Sequence, residues 1–342
     1  MKIRGTILLA LAIVVVVGAG CSLIGHREKP VSSYALAPDG KRIAFSSNDG
    51  DLYLLELETN KVKQLTSTPA YEKRPSFSPD GKFILYVSEP SGDQFSSRVF
   101  RMQIDNGKIQ QLTSDRSISD NNPRYSLDGS RIMFARASRN NGDPYVRDLW
   151  NDYDLYVMSA DGSNMKRITN GLYQRELDGR FSPDGSFLIF SGWNFSDGRG
   201  SSLFGGILKI KADGSENKPA SIASPPPKNE NDENPYGVEY GSPDLSADGN
   251  LIVFPVRKRV RLMDLSTKEF TDLDAKMPEG YGYVADPVFT PDGKRIFLMK
   301  VIPNENGPST RSLVSMDLDG KNLKEIADEE IFANPLKWKP KD

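Results

Sequence analysis

The chain has 342 residues, 37% of them hydrophobic, with 44 basic and 46 acidic side chains, one cysteine and one histidine. A net charge of −2 excludes a nucleic-acid binder that works through bulk positive charge. The single cysteine excludes an internal disulfide, and the single histidine, His26, excludes a Ser-His-Asp triad and histidine-based zinc or manganese sites.

The first twenty residues read as a targeting segment. Lys2 and Arg4 precede an uncharged run from Gly5 to Gly25, and the small residues Gly18-Ala19-Gly20 lead into Cys21. This resembles a bacterial lipoprotein signal. The resemblance implies a signal peptide over 1–20, a lipid on Cys21, and a tether over 21–31. Ser22 after the cysteine then implies the outer membrane, facing the periplasm. An uncleaved N-terminal membrane anchor is the alternative for an apolar run of this length. Either way the rest of the chain lies outside the cytoplasm. Without residues 1–20, 42 basic and 46 acidic side chains remain, a net of −4.

From residue 32 onward one phrase recurs six times. Its Asp-Gly pairs start at Asp39, Asp80, Asp128, Asp184, Asp248 and Asp292, in steps of 41, 48, 56, 64 and 44 residues. Each copy opens with a short strand ending in an aromatic residue or Leu, such as Phe77, Tyr125, Phe181 or Phe289. In the Pro-Asp-Gly that follows, proline presets the first turn position, Asp tolerates the second, and Gly takes the left-handed conformation. The next strand is apolar on both faces, as in Ile84-Leu85-Tyr86 and Leu188-Ile189-Phe190. Such a strand lies in a sheet covered on both sides, and with no amphipathic helical stretches, sheets must cover sheets. Third strands such as DLYLLEL (51–57) and fourth strands such as KVKQLTS (61–67) complete each unit. Six four-stranded antiparallel units describe an all-β fold, a six-bladed β-propeller over 32–342.

The phrase P-x-[FWY]-S-P-D-G-x-x-I-x-F, followed by D-L-Y-x-M-D and Q-L-T, resembles the WD-like repeat of TolB-type propellers. Only ten residues (22–31) separate the cysteine from the first blade, so the likeness is to the propeller half of that family, without its preceding α/β domain. The C-terminal NPLKWKPKD (334–342) reads either as a seventh inner strand that closes the ring or as a docked tail.

In a four-stranded meander the connections alternate between the two ends of the blade. The Asp-Gly turns share one end, and the long connections fall at the other: 88–96, 137–153, 192–202, 224–241, 278–286 and 302–310. Long loops gathered on one rim of a rigid scaffold are where binding residues concentrate. The approach to each inner strand also lies at that end, where Glu72, Asp120, Asn122, Glu176, Asp178, Glu239, Asp286 and Asn334 stand. Their oxygens are candidates for a ring around Ca²⁺ or Mg²⁺ at the channel mouth. Two other roles compete: capping of strand backbone, and neutralisation by Arg74, Arg124 and Arg180. The long connections hold aromatic candidates for a binding face, Tyr145, Trp150, Trp193, Tyr236 and Tyr281 among them.

These features point to a non-catalytic, membrane-anchored module that binds or scaffolds proteins of the cell envelope, as the TolB resemblance implies. The other class is a glycan-binding propeller or a glycoside-active enzyme using carboxylates alone. No thiol nucleophile exists on the propeller, and no catalytic domain is expected after residue 342.

Overall fold

The computed structural model describes residues 33–90, 96–115, 118–138, 153–170, 178–195, 203–216, 218–223, 241–256, 258–276, 282–304 and 307–340. They form six four-stranded antiparallel sheets, each a meander of four strands consecutive in sequence. The six blades span 34–64, 71–111, 118–167, 179–223, 244–274 and 283–327. This is the six-bladed propeller that the repeats predict.

The turn chemistry is more specific than Pro-Asp-Gly alone. In blade 2 the Gly81 N–H donates to the Ser78 carbonyl at 2.9 Å, and Gly81 has φ +68. This is a tight turn closed by a left-handed glycine. The Ser78 hydroxyl donates to Asp80 at 2.6 Å and accepts from the Phe83 N–H at 2.9 Å. Ser126, Ser182, Ser246 and Thr290 repeat the pairing with Asp128, Asp184, Asp248 and Asp292. The turns also touch one another around the ring. The prolines Pro38, Pro79, Pro183 and Pro291 stand 3.6, 3.6, 3.2 and 3.6 Å from the Cβ position of the next blade's turn glycine.

The second strands carry the core, as their two apolar faces require. Phe134, Phe190 and Phe254 are wholly buried, and the buried side chains group by seam. Met133 and Ala135 of blade 3 pack with Phe181 and Leu188 of blade 4, and Val253 of blade 5 packs with Phe289 and Leu298 of blade 6. Each of the larger side chains stabilises by about 1.5–3 kcal/mol on leaving water. Stability is therefore assembled at interfaces between neighbouring sheets.

Over 334–340 the chain forms no inner strand and is docked as a tail. Asp328 caps a five-residue helix, Glu329–Ala333, and Pro335–Lys337 form a 3-10 turn. Phe332 and Trp338 pack with Phe45 and Tyr53 of blade 1 and Met299 and Leu313 of blade 6. The Phe332 carbonyl accepts from the Asn48 N–H at 2.8 Å and the Ser47 hydroxyl at 2.7 Å. The ring thus closes with a clasp across one seam.

Pairing runs into two of the expected loops. In blade 4 the strands Phe187–Phe195 and Leu203–Lys211 pair out to Phe195↔Leu203, so Trp193, opposite Gly205, is a strand position. In blade 6 pairing continues to Ile302↔Thr310 and Asn304↔Gly307.

Candidate functional site

The six first strands neighbour one another around the ring, and one repeat position at or just before each of them carries the polar cluster of the channel. Three residues before the aromatic or Leu that ends each strand stand Ser33, Arg74, Asn122, Asp178, Ser242 and Asp286. Arg74, Asn122 and Asp286 have φ of +57, +50 and +48, and each precedes a proline. The pairing of their strands with the second strands is irregular at that point. A left-handed residue costs up to about 1–2 kcal/mol, least for Asn and Asp, so the strain at this repeat position falls mainly on Arg74.

Ser33, Arg74, Asp178, Ser242 and Asp286 are linked in one network. Asp178 accepts from Arg180 at 3.0 Å and from the Ser242 hydroxyl at 2.6 Å, and faces Arg124 at 3.8 Å. Arg180 also donates to Asp244 at 3.0 Å, whose other oxygen accepts from the Phe289 N–H at 2.9 Å. Asp286 lies 2.9 Å from the Ser242 hydroxyl and 4.0 Å from Arg74, and its carbonyl accepts from the Tyr34 hydroxyl at 2.7 Å. Ser242 has one proton for two carboxylates, so it serves one at a time. Ser33 accepts from the Arg74 N–H at 2.7 Å. Arg74 and Asp286 belong to blades 2 and 6, so this contact spans the position of blade 1 between them.

Three guanidiniums thus meet three carboxylates, Asp178, Asp244 and Asp286. Burial pushes the Asp178 carboxyl up, but Arg124, Arg180 and Arg74 outweigh it and hold it down at about 2. At Asp244 burial wins, and the carboxyl is raised despite Arg180. Among the described residues no three His, Cys, Asp or Glu side chains gather as metal ligands.

Of the residues expected at the channel mouth, Asn122, Asp178 and Asp286 stand at this inward position. Glu72 and Asp120 do not. Glu72, 2% exposed, accepts from Thr68 at 2.6 Å and faces Thr66 at 3.2 Å, beside the outer strand of blade 1. Burial raises its carboxyl above the usual range against those hydroxyls. Asp120, wholly buried, takes a two-point bond from Arg136 at 2.7 and 3.0 Å. The inner strands Tyr71–Phe77 and Ile118–Tyr125 are longer than the sequence suggests, which places both acids inside the strands. Asn334 is exposed in the C-terminal clasp, where its side chain donates to Glu330. Glu176, Glu239, Cys21, Tyr145, Trp150, Tyr236 and Tyr281 lie outside the described residues.

Sequence reasoning missed Ser33, Tyr34, Ser242 and Asp244. The signal for three of them was their offset from the residue ending the inner strand, where Ser33 and Ser242 align with Asp178, and Asp244 aligns with Arg124 and Arg180.

The long connections leave and re-enter the blades at the end opposite the Asp-Gly turns. The chain leaves blade 3's second strand at Ser138 and enters its third at Asp154, and it passes from Ala223 of blade 4 to Asp244 of blade 5. Among the described residues no helix is long and apolar enough to cross a membrane.

Residues 19–149 match the family model described as the TolB beta propeller domain. Over 95 residues the chain is 30% identical to the Tol-Pal system protein TolB of Francisella tularensis subsp. mediasiatica, covering 27% of this chain and 21% of that protein. Over 171 residues it is 28% identical to the uncharacterized peptidase YuxL of Bacillus subtilis, 48% of this chain and 22% of that one. The chain spans about half the length, or less, of the curated relatives it matches. The crystal structure of TolB from Acinetobacter baumannii superposes with a TM-score of 0.56 at 20% identity, over 87% of this chain and 63% of that one. The repeats are TolB-like in sequence and the blades are TolB-like in fold.

Proposed function

We propose that this protein is a non-catalytic propeller of the cell envelope, held at the membrane by a lipid on Cys21, that binds another envelope protein through its long-connection end. The observation that carries this reading is the asymmetry of the blades. Turns of a few residues suffice at one end, so the length added at the other is not demanded by folding. The TolB likeness supports a protein partner, because the named relative is a component of the Tol-Pal system. The paired state of the channel acids supports a structural rather than catalytic role for them, since Asp178, Asp244 and Asp286 all face guanidiniums. The peptidase-named relative shares blades of the same kind, and blades alone do not separate binders from enzymes.

The test is capture from detergent-solubilised envelope by the full chain, compared with a variant in which 139–152 is replaced by a short turn. Loss of the captured protein with an unchanged melting temperature supports the reading. Undiminished capture removes this connection from the binding face. Incorporation of a fatty-acid probe in the wild type and not in Cys21→Ala tests the anchor. No incorporation in either favours an uncleaved N-terminal anchor.

A further inference from the structure

The described residues begin at the mouth of the channel, and hydrogen bonds fix the point of entry. The Ser33 N–H donates to the Ser46 hydroxyl at 2.9 Å, its carbonyl accepts from the Ser46 N–H at 2.9 Å, and its hydroxyl accepts from the Arg74 N–H at 2.7 Å. The strand Tyr34–Leu36 then runs towards the turn at Asp39-Gly40. Ser33 therefore lies at the long-connection end, and Cys21 stands only twelve residues before it. Fully stretched, twelve residues reach about 40 Å. A flexible chain of that length spans about 20 Å on average.

Neither route from Ser33 to the opposite end suits such a tether. Over the outside it must cross four strands, about 14 Å at the spacing of a sheet, and then descend a blade as tall as Tyr71–Phe77, about 23 Å. Once side chains cover both stretches, that path takes up the whole stretched length. The inner route meets the channel network, where the side chains of Arg124, Arg180 and Asp178 are only 13, 15 and 6% exposed, packed too closely for a threaded chain. An anchor at Cys21 thus holds the long-connection end near the membrane and leaves the Asp-Gly-turn end away from it. An uncleaved anchor over 5–25 gives the same orientation, because it ends nearer still to Ser33.

We propose that the anchored protein stands with its long-connection end towards the membrane, and that the partner bound at this end is a protein held in the same membrane. This rests on the N-terminal anchor proposed above. A globular domain of 100 residues is roughly 30 Å across, wider than a gap of about 20 Å, so a soluble partner has to enter against the tether. A partner held in the same surface meets the long connections at the right height, and the shared membrane raises its effective concentration. The Asp-Gly-turn end is the one presented to the aqueous compartment.

The test uses the full chain, purified with its anchor and reconstituted in vesicles of phosphatidylethanolamine and phosphatidylglycerol that carry an acceptor dye on their headgroups. Donor dyes are placed on Ser67→Cys and Thr59→Cys, exposed positions that flank the outer strand Lys61–Gln64 of blade 1 at its two ends. The lipid thioether at Cys21 leaves these as the only thiols. The two positions differ in height by roughly 20 Å, so energy transfer from position 67 should exceed that from position 59 at least about threefold. Lengthening the tether by about twenty Gly-Ser residues after Glu28, to roughly 30 Å on average, should bring the two values together. Equal or reversed transfer in the anchored protein overturns the orientation. A difference that survives the longer tether overturns the tether as its cause. Protein that does not bind vesicles at all overturns the anchor, a result distinct from both. With biotin on the same two cysteines, avidin, a soluble globular protein, should bind Ser67→Cys several-fold more slowly than Thr59→Cys on vesicles. Equal rates overturn the restriction to a membrane-held partner.

Discussion

Replacing Arg180 with Met takes the guanidinium out of the channel while keeping most of the side chain's apolar length. Arg180 donates to Asp178 and Asp244 at 3.0 Å each. After the substitution Asp178 keeps Ser242 at 2.6 Å and Arg124 at 3.8 Å, whereas Asp244 keeps the Phe289 N–H at 2.9 Å. Burial already raises the Asp244 carboxyl in the intact network, so the loss falls mainly on that residue. Removing one partner of a buried pair costs about 3–5 kcal/mol, and Arg180→Met is expected to lose about that much at pH 7. Both acids bind protons more tightly once the cation is gone. The deficit is therefore full well above the unfolded value of 3.8 and shrinks as the pH falls and Asp244 takes up a proton. Adding Asp244→Asn should restore at least about 1 kcal/mol by removing the stranded charge. Urea titrations at pH 7 and pH 5, with intrinsic fluorescence as readout, measure all three quantities. A deficit below about 1 kcal/mol, or one that does not change with pH, refutes a desolvated network.

Asp178→Asn should cost about 2 kcal/mol at pH 7, and in urea melts the gap from wild type should close as the pH falls from 3.8 towards about 2. Glu72→Gln should raise the melting temperature at pH 7, because burial raises the folded pKa and ionisation costs stability. That gain should vanish below the unfolded value of 4.5. Trp338, 7% exposed, donates its indole N–H to Asp328 at 3.0 Å, so Trp338→Ala should cost about 3–5 kcal/mol by chemical denaturation. Trp338→Phe should cost about 1 kcal/mol, the worth of the hydrogen bond.

The blades were legible because each is written locally, in the turn glycines and in second strands apolar on both faces. The channel was legible in part. Arg74, Arg124 and Arg180 stood out beside acids in the sequence, but their partners Asp244 and Asp286 come from other blades, and only the closed ring brings them together. Glu72 and Asp120 were misplaced because proximity to a strand's start was taken for proximity to the axis. Side chains alternate along a strand, and an irregular pairing shifts the alternation. Trp193 was read as a loop residue because nothing in GWNFSDGRGSS (192–202) marks where pairing stops.

The clasp has a consequence for the order in which the molecule assembles. Five seams join sheets that follow one another along the chain, so each can form soon after its second blade is synthesised. The sixth joins residues far apart in sequence: Tyr34 to Asp286 across 252 positions and Ser47 to Phe332 across 285. Until residues 328–338 emerge, the growing chain is an open arc with the outward faces of blade 1 bare. The two ends of that arc bear the largest loop-closure cost in the molecule. Closure therefore waits for the last residues to be made, and the species that awaits it is the one that a chaperone or a protease would meet.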